Sequence, residues 1–471
     1  MAIFDIGKTN KKLLIFSDSL DLIHMESVRI GEIRRDNILC DDHEGIEKWF
    51  RERLGNACRK YRIRGLNIST HGATLAYLSK GSLAFPIISY NQDIEPEIRN
   101  EFYKEFGSPL DLYMTTGTPF YGRLFIAGVQ IYWFRKRYPE IFSRVDRILF
   151  LPQYLTYSIS GLEASEITSV SCHTYLYDLR TMDWSSVAKS LEVDRLSPDL
   201  VNVWDSLGEF QLQGSRIIAA PGIHDSNASI LPFISKDADV LLASTGTWCV
   251  FMYPKAGFNP RPEDLDKDVV YYVSAYGEPI RSSRFAGGYE HDHYAKLIRE
   301  KFQIDPRKIP LKLEALEEII KDKKDFITPG LIERTGQFQK SKPRIIGDAF
   351  HKDPVLAYHL LNLSLAIQSY VAMELIMEKR RPDIIVLGGF ANNDIYLSIL
   401  STLLPENKVF KAALPEITGL GTAICCKCAI EGLKPNEIDI DLPLQEIPKL
   451  DLDLDSLREY VSLYIEASTP E

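Results

Sequence analysis

The feature that most constrains this chain is a strand-turn-strand unit that occurs twice, half a chain apart. Residues 2–6 form a short apolar strand carrying one Asp, Gly7-Lys8-Thr9-Asn10 a polar turn, and residues 13–16 a second apolar strand. Residues 239–243, Ser244-Thr245-Gly246-Thr247 and residues 248–253 repeat the design, with Gly246 standing where Gly7 stands in the first unit. Apolar runs of this length bounded by turn residues read as β-hairpins. Their recurrence reads as a distant duplication, two similar domains facing each other across a cleft. Length agrees, because 471 residues exceed the roughly 250–300 at which a single core stops growing. The expected domains are 1–234 and 235–471, with a hinge in the short polar stretch Ser235-Lys236-Asp237.

Helical periodicity marks residues 45–62, 126–137 and 152–160 in the first half, and 311–321 and 354–379 in the second. Strands are expected at 65–70 and 383–387. Helices and strands mixed in both halves make an α/β protein.

A formal charge of −10 argues against a nucleic-acid or anionic-membrane partner, which would require a basic face. Phosphate must then be held by local groups. No basic segment followed by an apolar run suggests a signal peptide, and no stretch is read as reaching the roughly 18–20 apolar residues of a membrane span. Seven Cys, an odd number, fit free thiols in a reducing cytoplasm. Cys425, Cys426 and Cys428 lie in an apolar stretch without a second ligand pair, so a buried helix is expected there in place of a metal site. The His291-Asp292-His293 run, after Gly287-Gly288, is likewise read as a helix start and not as metal ligands, with the glycines bordering a cleft.

Four segments divide the labour that phosphoryl transfer requires: a base at the acceptor hydroxyl, Mg²⁺ on the phosphates, and donors around the transferring group. In the first turn, Asp5 at a strand end suits hydrated Mg²⁺, the residues after it suit phosphate oxygens, and Lys12 adds charge. Pro221-Gly222-Ile223-His224-Asp225-Ser226 supplies a carboxylate able to accept a proton, although Asp225 would serve equally as a helix N-cap. Ser244-Thr245-Gly246-Thr247 is the second phosphate hairpin. A strand ending in Gly388-Gly389-Phe390, followed by Asn392 and Asn393, allows a flat nucleobase to approach backbone, with an Asn free to cap a helix or bond the nucleoside.

Taken in order, Asp5-Ile-Gly-Lys-Thr-Asn, His71-Gly72, Asp225, Ser244-Thr-Gly-Thr and Gly388-Gly389-Phe390 resemble the FGGY carbohydrate kinases of the actin, hexokinase and Hsp70 ATPase superfamily. Ser89-Tyr90-Asn91-Gln92-Asp93 resembles the rhamnulokinase and fuculokinase branch, and Thr116-Gly117-Thr118-Pro119 and residues 151–157 resemble the family's substrate-domain segments. The resemblance implies two ribonuclease-H-like domains with ATP between them. Asp5 would serve Mg²⁺ through intervening water, with Gly7, Lys8, Thr9, Asn10 and Lys12 around the phosphates. Ser244, Thr245, Gly246 and Thr247 would cover the β- and γ-phosphates, and Gly388, Gly389, Phe390 and Asn392 would border the adenosine. His71, Gly72, Asp93, His224 and Asp225 would face the sugar, Asp225 as the base. Lys8 departs from the small residue usual at its position, so it either meets phosphate or crowds the loop. Ser69-Thr70-His71-Gly72 departs from the segment common in xylulose kinases. The implied activity is ATP-dependent phosphorylation of a rhamnulose- or fuculose-like ketose in the cytoplasm. A xylulose, ribulose or polyol kinase and a non-catalytic actin-like nucleotide-binding protein are the alternatives. A homodimer is compatible with the sequence, which does not fix the oligomeric state.

Overall fold

The computed structural model describes residues 1–234, 238–412, 414 and 416–469, so the expected hinge at 235–237 lies outside the described residues. Two seven-stranded sheets dominate. In the first, Ala2–Ile6 pairs antiparallel with Asn10–Phe16 and parallel with Gly65–Thr70. In the second, Val240–Thr245 pairs antiparallel with Cys249–Tyr253 and parallel with Asp383–Gly388. The two hairpins therefore occupy equivalent places in equivalent sheets. The first hairpin is tighter than the apolar run alone suggested, because Ile6 already pairs with Lys11 and the returning strand starts at Asn10.

Strands covered on both faces read as continuous apolar runs. Helix His43–Lys60 covers one face of the first sheet, setting Trp49 and Phe50 edge-on against Phe4 at 5.5 and 4.4 Å. Asp42 starts that helix by accepting the Gly45 N–H at 3.0 Å. Each such buried aromatic contributes about 1.5–3 kcal/mol of transfer free energy. Helix Ile417–Glu431 packs near the same sheet, and it brings Cys425, Cys426 and Cys428 into the core as buried thiols. Its Gly421 lies so close to the helix Asp225–Ile234 that a β-carbon there would stand 1.8 Å from the Ala228 carbonyl oxygen. A residue late in the sequence thus fixes the helix that begins with Asp225.

Helix Pro354–Met377 corrects the reading that no stretch is long and apolar enough to span a membrane, since its length and mean hydropathy of 1.5 meet that standard. Its apolar surface is used internally, with 78% of the most apolar window buried, as expected for a helix that is hydrophobic all round. Asp353 caps it, accepting from the N–H groups of Val355 and Leu356.

The halves also touch through the segment 116–125. Gly117, left-handed at φ 67°, ends helix Pro109–Thr116, and its carbonyl accepts from Tyr271 N–H of the second sheet at 2.9 Å. The Arg284 guanidinium, held by Asp268, lies 5.1 Å over Trp248 and 5.2 Å over Tyr121, one ring from each half.

Candidate active site

Strand register brings Asp5 and Asp225 together. Asp5 stands opposite Ser69 in the parallel pair, and Ser69 stands opposite Ile223 on its other side. Asp225, two residues further on, opens the helix Asp225–Ile234 just past the sheet's end. Its Oδ1 accepts from Ser226 N–H at 2.6 Å and lies 3.2 Å from His224 Nε2, while among the described residues nothing bonds Oδ2. The carboxylate is 34% exposed, unlike the 6% of His224. Asp225 is thus anchored at one oxygen and open at the other. Asp225 is the first residue of the helix, and its side chain bonds the N–H of the adjacent Ser226 in place of the second- or third-residue N–H that an N-cap would take.

Asp5 lies opposite Lys12 in the hairpin, but the ammonium is 3.9 Å from Oδ2 and is drawn to Glu416 at 2.7 Å. Burial, with the Asp225 and Glu416 charges adding to it, raises the Asp5 pKa to about 7 against the pull of Lys12. Such an under-compensated carboxylate fits a hydrated Mg²⁺, which keeps several waters and takes one or two carboxylates plus phosphate oxygens. Among the described residues no group of three His, Cys, Asp or Glu side chains is placed to hold a metal, so the remaining ligands would be water and phosphate.

His71 follows the strand Gly65–Thr70, and burial, aided by the Lys8 charge, keeps its ring neutral while Asp225 opposes. Tyr90 lies edge-on to it at 5.3 Å. Gly72 makes room for His224, whose Nε2 would meet a β-carbon at 3.2 Å. His71, Gly72, His224 and Asp225 therefore share one neighbourhood. Asp93 does not join it. Its side chain is 83% exposed and pairs with Arg123 at 3.3 Å, so the aromatic member of the 89–93 segment, Tyr90, faces the site in its place.

Lys8 also requires correction. Its ammonium is engaged within the protein, bonding Asp41 at 2.7 Å, Glu32 at 2.9 Å and Ser89 Oγ at 2.8 Å. Two carboxylates outcompete solvent for it. The neighbouring Lys11, buried, donates to the carbonyls of Gly7, Lys8 and Ile30 at 2.8–2.9 Å. Carbonyls drawn to one side leave the trans-opposed N–H groups of Lys8 and Thr9 facing the other. Thr9 and Asn10 are exposed at the tip beside the half-buried Gly7.

The second hairpin borders a cavity of about 710 Å³. Thr245, Gly246, Thr247, Gly389, Phe390 and Asn392 line it, joined by Gly288, His291, Arg307 and Tyr358, which sequence reasoning assigned no part in nucleotide binding beyond the bordering glycines. These come from helices whose register with the hairpin is set only in three dimensions. His291 is buried, its Nε2 3.2 Å from the Tyr358 hydroxyl, whereas Asp292 and His293 are exposed. Ser244 is half-buried in the strand ahead of the tip. Asn393 caps helix Asp394–Leu403 through the Tyr396 N–H, leaving Asn392 as the exposed amide of the pair.

Two expected contacts become supports. Thr245 is 2% exposed, donating to the Leu387 carbonyl and accepting from Phe390 N–H at 3.0 Å, so its hydroxyl pins the hairpin to the Gly-Gly turn. Gly388 is the strand partner of Thr245 and lies outside the cavity lining. Thr245→Val should cost about 1–3 kcal/mol by stranding both groups, read as a lower urea midpoint at unchanged slope.

Comparison with known proteins places the fold in a family. The N-terminal domain of the FGGY family of carbohydrate kinases matches residues 1–223, and the C-terminal domain of carbohydrate kinase FGGY matches residues 237–435. A rhamnulokinase of Halalkalibacterium halodurans is 24% identical over 256 residues, 52% of this chain and 52% of its own length. The match thus spans about half of that relative. A rhamnulokinase of Oceanobacillus iheyensis is 21% identical over 386 residues, 79% of this chain and 80% of its own. The crystal structure of a carbohydrate kinase from Novosphingobium aromaticivorans superposes with a TM-score of 0.83 at 25% identity, covering 98% of this chain and 99% of that one. The two sheets are those of paired ribonuclease-H-like domains.

Proposed function

Because this chain belongs to the FGGY family of carbohydrate kinases, we propose that it transfers the terminal phosphoryl group of ATP to a hydroxyl of a small ketose of the rhamnulose or fuculose kind. The observation that carries this reading is the Asp225 carboxylate, fixed at Oδ1 and open at Oδ2, beside Asp5 at the sheet end. Residues 1–234 would hold the sugar and residues 235–471 the nucleotide. The sugar hydroxyl attacks the γ-phosphorus, its proton passes to Asp225 Oδ2, and the bond to the bridging oxygen breaks, releasing ADP. His224 keeps Asp225 oriented. The N–H groups of the first turn and the Gly246-Thr247 tip would receive phosphate oxygens, and Gly389, Phe390 and Asn392 would hold the adenosine. Mg²⁺ near Asp5 would supply charge neutralisation on the phosphates. A cytoplasmic setting is part of the proposal, in keeping with seven free cysteines.

A panel of rhamnulose, fuculose, xylulose, ribulose and glycerol, read by coupled ADP detection, tests the substrate class. The expected result is sugar-stimulated turnover highest with rhamnulose or fuculose and abolished by EDTA. Preference for xylulose, ribulose or glycerol would reassign the substrate, and ATP binding without stimulation by any of them would favour the non-catalytic alternative.

A further inference from the structure

The first phosphate turn reaches into the acceptor side of the site through one side chain. The three protons of the Lys8 ammonium are all spent, on Asp41 at 2.7 Å, Ser89 Oγ at 2.8 Å and Glu32 at 2.9 Å. Ser89 Oγ also accepts from Asn91 N–H at 3.0 Å, and Glu32 accepts from both Ser89 Oγ and, at 3.1 Å, Asn91 Nδ2. The 89–91 loop is therefore folded around the ammonium. Between the two polar residues stands Tyr90, its ring 4.3 Å beneath Lys8 Nζ and edge-on to His71 and to Phe125 at 5.3 and 4.7 Å. The Lys8 backbone stays in the turn, its carbonyl held by Lys11 at 2.8 Å. One residue thus belongs to two structures.

We infer that Lys8 is a positioning residue for the acceptor, tying the 89–91 loop to the first phosphate turn so that Tyr90 stands beside His71 in the sugar site. This rests on the kinase reading above. With every proton of its ammonium engaged inside the protein, Lys8 offers none to a substrate, and its effect is exerted through the ring it holds. The charges of Lys8 and Asp225 both act on His71, so the wall that Lys8 builds adjoins the base. A site shaped this way suits a neutral sugar bound by ring and hydroxyl contacts. Acceptor affinity should follow Lys8, and ATP affinity should not.

The test is steady-state kinetics of Lys8→Met, Lys8→Met with Asp41→Asn, and Lys8→Arg, using the best sugar of the panel. The double variant removes the carboxylate charge that Lys8→Met leaves buried, so it keeps the test informative if the single variant folds poorly. The expected result is an acceptor KM raised at least tenfold in both Met variants, an ATP KM within threefold of the parent, and partial recovery of acceptor KM in Lys8→Arg. A folded double variant with acceptor KM within threefold of the parent would overturn the inference. So would an equal rise in the KM of both substrates, which would return Lys8 to the phosphate turn. Sugar-independent behaviour of the parent itself would instead sink the kinase reading, and this inference with it.

Discussion

Asp225→Asn is expected to lower kcat by about 10²–10⁴, the usual contribution of a positioned base, or roughly 3–5 kcal/mol of transition-state stabilisation. The substitution is isosteric. An Asn oxygen can still accept the Ser226 N–H that now meets Oδ1 at 2.6 Å, so the helix start should survive. What is lost is the ability to take a proton at the open oxygen. ATP binding should persist, because the cavity proposed for the nucleotide lies around the second hairpin and the Gly-Gly turn. The ATP KM should therefore remain within threefold while kcat collapses. Turnover within about tenfold of the parent would remove Asp225 from the role of base.

Gly388→Ala should destabilise the protein strongly. Gly388 has φ 84° and ψ −151°, a region essentially reserved for glycine, and an added β-carbon would lie 2.0 Å from the Thr245 carbonyl oxygen. Backbone strain and overpacking each cost about 1–3 kcal/mol, so about 3–5 kcal/mol together is expected. Thermal unfolding should then shift down by roughly 10 °C, at about 2–4 °C per kcal/mol. Because the carbonyl that must move belongs to the second hairpin, ATP should stabilise the variant less than the parent. A thermal midpoint within about 2 °C of the parent, with equal stabilisation by ATP, would contradict the close packing of turn against hairpin.

The hairpins were legible because buried strands leave uninterrupted apolar runs and their tips leave Gly, Ser and Thr. Asp225 was singled out only through its company, since Asp before Ser, Asn and Ala is also how many helices begin. Register then supplied what sequence lacked, putting Ser69 between the Asp5 and Ile223 strands. The destination of Lys8 was not legible. Its carboxylate partners, Glu32 and Asp41, lie on the small hairpin Glu32–Arg35 and Ile38–Asp41, and nothing local announces that this hairpin folds over the turn. The family resemblance put Asp93 at the sugar, yet its exposed carboxylate pairs with Arg123 and it is the Tyr90 ring that packs on His71. Arg307 and Tyr358 were missed for a similar reason, since they meet the Gly-Gly turn only across the packed second domain.

The most direct test is phosphorus NMR of the protein incubated with ATP, Mg²⁺ and rhamnulose, alongside Asp225→Asn under the same conditions. The account predicts a sugar phosphomonoester resonance growing with ADP in the parent and nearly absent in the variant. ATP converted to ADP and inorganic phosphate alone, or an equal phosphomonoester yield from Asp225→Asn, would contradict it.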